Sequence, residues 1–145
     1  MTTIAERIPE TERAVETAAP GVRLKLSRPT TTAVVVHVAG DVDASTAPRL
    51  HELLAPRLSS VAETVVVDLS EVGFLGVAGL ELLSHAQHRA AARGVAFRVV
   101  DGPVCVDRAL RAAGWTDAVA PHPTVASALS GDTGWELTPP VLPLD

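Results

Sequence analysis

Two aspartates, Asp41 and Asp43, stand in Val38-Ala-Gly-Asp-Val-Asp-Ala-Ser-Thr-Ala47, after an apolar run and before a helical pattern. Carboxylates in that position orient a turn by accepting backbone N–H bonds, and they favour the positive end of the helix that follows. A third, Asp68, lies near the end of Thr64-Val-Val-Val-Asp-Leu69 and precedes the loop Ser70-Glu-Val-Gly-Phe-Leu-Gly-Val-Ala-Gly79. In that loop Leu75, Val77 and Leu80 crowd apolar groups around a helix start, a place that otherwise attracts small anions. If exposed they suit a dry protein interface, and if buried they belong to the core.

The remaining reactive side chains form no such pattern. His85 and His88 lie three apart on one helical stretch, but no Cys or carboxylate accompanies them at a ligand spacing, so they read as solvent-facing and not as a metal site. His37 and His51 add no coherent spacing. Cys105 opens a helix, a position that can activate a thiol, yet Val104 and Val106 flank it and an inert buried thiol is expected. No G-x-S-x-G, Walker-type or G-x-G-x-x-G sequence occurs in the right context, and no motif sets a base beside a nucleophile. The residues call for neither catalysis nor a cofactor.

The elements that must position these residues can be read from the apolar periodicity. Val22-Arg-Leu-Lys-Leu26 alternates, and Ala33-Val-Val-Val-His-Val-Ala39 is a β-branched run ended by Gly40, so both are strands. Thr46 can cap the next segment with its hydroxyl, Pro48 fits a first helical turn, and Leu50, Leu53, Leu54 and Leu58 mark one helical face. Thr64–Leu69 is a buried strand. A second helix runs from Val77 or Gly79 to Arg93, with Gly94 as a left-handed cap. Ala96–Val100 is a strand, Val104–Ala113 a helix closed by Gly114, Ala118–Ala120 a short strand and Thr124–Leu129 a last helix. Residues 1–21, rich in Thr, Glu and Ala, read as a mostly disordered extension with at most a short helix around Glu10–Ala18. The Pro- and Gly-rich residues 131–145 read as an irregular tail. The domain spans residues 22–130. Strands alternating with helices imply an α/β fold with a mixed, largely parallel sheet and about four helices, in the order β-β-α-β-α-β-α-β-α.

Composition bounds the function. The 145 residues are 47% apolar, enough for one core, but only 3% aromatic with no tyrosine, so base-stacking platforms are lacking. A formal net charge of −5 without a basic block repels phosphate backbones, which argues against nucleic-acid binding. Every apolar segment is interrupted too early to cross a bilayer, so no direct membrane insertion is expected. A single cysteine and an opening without an apolar signal-length run point to a reducing cytoplasm. A lone lysine, Lys25, amid many Arg, Ala and Val suggests a high-GC bacterial genome.

Three stretches resemble the STAS domains of anti-sigma-factor antagonists. Val38–Ala47 is similar to the family's G-E/D-x-D-x-x-T/S-A turn before the first helix. Val65-Val-Val-Asp-Leu-Ser-Glu-Val-Gly-Phe-Leu-Gly-Val-Ala-Gly-Leu80 resembles V-x-x-D-L-S-x-V-x-F-x-D-S-S-G-L leading into the second helix, and Arg108-Ala-Leu-Arg-Ala-Ala-Gly-Trp115 resembles the helix ending in Gly plus a large apolar residue. They span nearly the whole domain in the family's order. The resemblance implies a STAS-like sandwich that binds an anti-sigma factor of the histidine-kinase-type ATPase class and thereby regulates sigma-dependent transcription, in stress responses among others. It implies a partner surface at Asp41, Asp43, Ser45, Thr46, Leu75, Gly76, Val77, Ala78, Gly79 and Leu80, and it implies that Asp68 sits near the switch loop, fixing backbone donors of residues 76–79. The family's D-S-S-G segment supplies a phosphorylated serine, but Gly76, Val77, Ala78 and Gly79 occupy those positions here, and Val77 has no oxygen to accept a phosphoryl group. The alternatives are an accessory or scaffold subunit of a transporter or stress-signalling assembly, and a small-ligand sensor.

Overall fold

The computed structural model describes residues 14–19, 21–58, 62–115 and 121–130. Five strands, β1 (Ala14–Ala19), β2 (Val22–Ser27), β3 (Ala33–Val42), β4 (Thr64–Leu75) and β5 (Ala96–Val100), lie side by side in chain order. The pairs β1–β2 and β2–β3 are antiparallel, while β3–β4 and β4–β5 are parallel, as they must be when a helix carries the chain back between them. Helix α1 (Ala47–Leu58) makes the first crossover and α2 (Val77–Arg93) the second; α3 (Val104–Ala112) and α4 (Val125–Ser130) follow β5.

Strand alternation sorts the side chains onto two faces. Val22, Leu24 and Leu26 of β2, Val34, Val36 and Val38 of β3 and Val65, Val67 and Leu69 of β4 face α1, α2 and α3. The helices answer with Leu50 and Leu54, with Leu83, Ala86 and Ala90, and with Val106 and Leu110. Each fully buried leucine contributes about 1.5–3 kcal/mol of transfer free energy. On the opposite face a smaller cluster of Val35, Val66 and Val100 is covered by Ala128 of α4. An α/β sandwich with four helices among the described residues is therefore observed, and no described helix is long and apolar enough to cross a membrane.

The observed elements depart from the expected ones in three places. Residues 14–19, expected within the N-terminal extension, form β1, which pairs antiparallel with β2, Ala19 standing opposite Val22 and Gly21 adopting φ 90°. The ladder supplies the backbone partners that β2 would otherwise lack, and it needs no apolar stripe. The expected short strand at 118–120 lies outside the described residues, although His122 bridges Val100. Strand β3 does not stop at Gly40: Gly40 adopts φ 103°, where a Cβ would collide with the Gly21 carbonyl, and the strand continues to Val42. Strand β4 likewise runs through residues 70–75 instead of ending at Leu69, because it pairs with this prolonged β3.

Register explains why that last segment reads as a loop. Partners shift from His37↔Asp68 to Ala39↔Glu71 and again from Gly40↔Val72 to Asp41↔Phe74, so β4 gains one residue over β3 at each of two bulges. Its buried positions become Leu69, Val72 and Leu75, three apart instead of two. Bulges bend and re-aim a strand; here they turn Phe74 outward, leaving it 51% exposed.

Candidate functional site

Both segments singled out in the sequence meet at the C-terminal ends of the parallel strands. Asp41 pairs with Phe74 and Val42 with Leu75, and the Gly76 N–H then donates to the Val42 carbonyl at 2.9 Å, tying the start of α2 to the turn before α1. Within that turn the Asp43 carboxylate accepts the Ser45 N–H at 2.9 Å, the Ser45 hydroxyl at 2.7 Å and the Thr46 N–H at 3.1 Å. The bond from the Ser45 side chain, reinforced by those backbone donors, holds the Asp43 carboxyl below the usual range. Thr46 does not donate or accept forward into the helix as a cap. Its hydroxyl, buried at 4% exposure, accepts the Asp43 N–H at 2.9 Å and donates to the Asp41 carbonyl at 2.7 Å, cross-linking the turn.

The expected surface residues thus divide. Thr46, Leu75 and Gly79 are buried and build the site from within; a Cβ at Gly79 would stand 2.6 Å from Leu75 and 2.7 Å from Val42, so only glycine lets α2 pack this closely on the sheet. Leu80 is half-buried against the core. Asp41, Ser45 and Val77 face outward, with Ala78 and Gly76 partly so. Val77 is 71% exposed, and no side chain caps the helix that it opens.

Two further residues belong to this surface. Phe74 and Val104 are, with Val77, the exposed large apolar side chains among the described residues, and all three lie at this end of the sheet. The Phe74 ring lies over Gly76, where a Cβ would come within 3.0 Å of it, and the Cys105 thiol donates to the Gly73 carbonyl at 3.2 Å, holding the start of α3 against the same strand end. The sequence does not separate Val104 from its core neighbour Val106, because it is the helix that makes positions two apart face different ways. Cys105 is exposed, against the expectation of a buried thiol, for the same reason: α3 turns Val106 and Leu110 to the sheet and its first turn away from it.

Asp68 is not at the switch loop. Seven strand residues, 69–75, with the two bulges among them, separate it from Gly76, and its side chain projects from the opposite sheet face. There one carboxylate oxygen accepts the Ser70 N–H at 3.0 Å and the other bonds His37 Nδ1 at 2.9 Å. Burial pushes this carboxyl up, but the His37 and Ser70 bonds outweigh it and hold it below its ordinary range. His51 and His85 line an open groove of about 580 Å³ between α1 and α2, beside Ala44 and Ala78. His88 is exposed, and no group of three metal-ligating side chains occurs among the described residues.

Residues 27–121 match the family model described as Mlab, STAS domain. The anti-sigma-F factor antagonist RsfA of Mycobacterium tuberculosis is 34% identical over 100 residues, 68% of this chain and 78% of the relative. An anti-sigma factor antagonist from Mycobacterium paratuberculosis superposes with a TM-score of 0.71 at 26% identity, over 79% of this chain and 97% of that one. The antagonist SpoIIAA in its unphosphorylated form shares the fold, with a TM-score of 0.57 at 14% identity over 63% of this chain and 80% of its own.

Proposed function

The chain belongs to the STAS-domain family of anti-sigma-factor antagonists, and we propose that it binds an anti-sigma factor through the surface around Val77 and so releases a sigma factor, without being phosphorylated at that position. The observation that carries this reading is the convergence of Phe74, Val77 and Val104, exposed by 51%, 71% and 70%, at the strand end beside the Asp41–Thr46 turn. An apolar patch with a polar, hydrogen-bonded rim is the anatomy of a protein-docking surface.

Valine at position 77 fits permanent competence. A phosphoserine there would bring close to two negative charges into an apolar contact and oppose docking; the valine side chain offers no oxygen, so the surface keeps its affinity whatever kinase activity the partner has. The partner is an ATPase of the histidine-kinase type, both act in the cytoplasm, and the chain works by binding and not by catalysis. The supporting relative is RsfA, named as an anti-sigma-F factor antagonist.

Incubation of the full chain with a sigma-free anti-sigma factor of that class and ATP, followed by intact-mass and peptide analysis, tests the reading. A stable complex with residues 70–80 unmodified is expected. Stoichiometric phosphate on Ser70, or binding controlled by phosphate on Ser84, would overturn the claim that this switch has been lost.

A further inference from the structure

The sheet face turned away from α1, α2 and α3 carries a hydrogen-bonded chain that the docking function does not use. Asp68 Oδ2 lies 2.9 Å from His37 Nδ1, and His37 Nε2 lies 3.2 Å from Ser27 Oγ. The three residues come from β4, β3 and β2, and 31 and 10 positions of sequence separate the bonded pairs. The chain has a direction. Asp68 is held ionised and can only accept, so His37 carries its proton on Nδ1. With the imidazole neutral, Nε2 offers a lone pair into which the Ser27 hydroxyl, 3.2 Å away, can donate.

From this arrangement we propose that Ser27 is a nucleophile that accepts a small acyl group from an activated ester or thioester, with His37 as its general base and Asp68 as the residue that positions the base. Ser27 Oγ bonds to the acyl carbon while its proton passes to His37 Nε2; the bond to the leaving alcohol or thiol breaks, and that group departs with the proton returned by His37. The product is an O-acyl serine and a free alcohol or thiol. Nucleophile, base and orienting carboxylate stand within hydrogen-bond reach of one another, which is the geometric requirement for the step. Beside His37 a cavity of about 70 Å³ is lined by Arg23, Lys25, Ala39 and Glu71. Access is open on the described part of this face: α4 covers Val35, Val66 and Val100, and the His37 side chain remains 35% exposed.

Reaction of the full chain with a fluorophosphonate probe and with p-nitrophenyl acetate, read by intact mass and peptide mapping, tests this. One equivalent on Ser27 is expected, none in Ser27→Ala, and a second-order labelling rate lower by roughly a hundredfold or more in His37→Gln. Asp68→Asn separates positioning from mere structure: its amide donates to Nδ1 and forces the ring proton onto Nε2, so labelling falls about as far while circular dichroism and the melting midpoint stay close to wild type. Should either variant unfold, the other carries the same comparison. Labelling confined to Lys25 or spread over other side chains, no label on Ser27, or equal rates in wild type and the folded His37→Gln and Asp68→Asn proteins would overturn the proposal.

Discussion

Val77→Asp places a carboxylate at the centre of the apolar patch and asks whether that patch is a surface or a piece of core. Val77 is 71% exposed, so little burial is lost on substitution, and position 77 is the first residue of α2, whose Gly76 cap offers no side-chain acceptor. A carboxylate there interacts favourably with the helix N-terminus, by about 0.3–1 kcal/mol. The free protein is accordingly expected to melt within a few degrees of wild type, unchanged or slightly higher. In the complex the same group must be stripped of water against apolar atoms with no cation opposite, at a cost of roughly 3 kcal/mol. That corresponds to about a hundredfold or more in Kd. Titration calorimetry against the anti-sigma factor, beside a thermal melt of each free protein, reads both quantities. Affinity within about threefold of wild type would remove Val77 from the interface, and a melting point lowered by many degrees would show it to be core.

Other perturbations test the scaffold. Thr46→Val keeps the shape but leaves the Asp41 carbonyl and the Asp43 N–H without their buried partner, a loss of about 1–3 kcal/mol that should lower the melting midpoint by several degrees and weaken partner binding with it. Removal of residues 1–20 strips β1 from β2 and should also lower the midpoint by several degrees; an unchanged melt would show that the β1 ladder contributes nothing. Burial, with a hydrogen bond to Asp107 added, pushes the Asp101 carboxyl up to about 6 from 3.8. Between those two values the folded chain holds a proton that the unfolded chain has shed, so this group's contribution to stability falls as pH rises through that window. Asp101→Asn should therefore stabilise the fold at neutral pH, by on the order of 1 kcal/mol after solvent screening, and have little effect near pH 4. Denaturant melts at the two pH values that show no difference between wild type and variant would refute the shift.

How far the sequence could be read depended on whether a contact is written in local periodicity. The β-branched runs at 33–39 and 64–69, the leucines of α1 and the left-handed Gly94 after α2 are all local signals, and each lies where it was expected. Residues 70–75 failed because two bulges convert a period of two into the spacing Leu69, Val72, Leu75, which no single-strand pattern reveals. Strand β1 was missed because a backbone ladder with β2 is not written in the sequence as an apolar stripe, although the Pro20-Gly21 dipeptide was a usable turn signal. The proposed docking surface was legible in part. Val77 and the Asp41–Thr46 turn carry their chemistry in sequence, whereas Val104 joins them only through tertiary packing, with Val106 and Leu110 seating α3 on the sheet and the Cys105 thiol meeting the Gly73 carbonyl. Asp68 was expected beside the switch loop, but the lengthened β4 carries the loop away from it, and its bond to His37 spans 31 residues.

Competition for a preformed complex of anti-sigma and sigma factor tests the central claim most directly. Native mass spectrometry after addition of the full chain and ATP reports which species remain. The account predicts free sigma factor, a complex of this chain with the anti-sigma factor, and no phosphate on the chain. A sigma complex that survives excess chain, with the chain itself unbound, would contradict it.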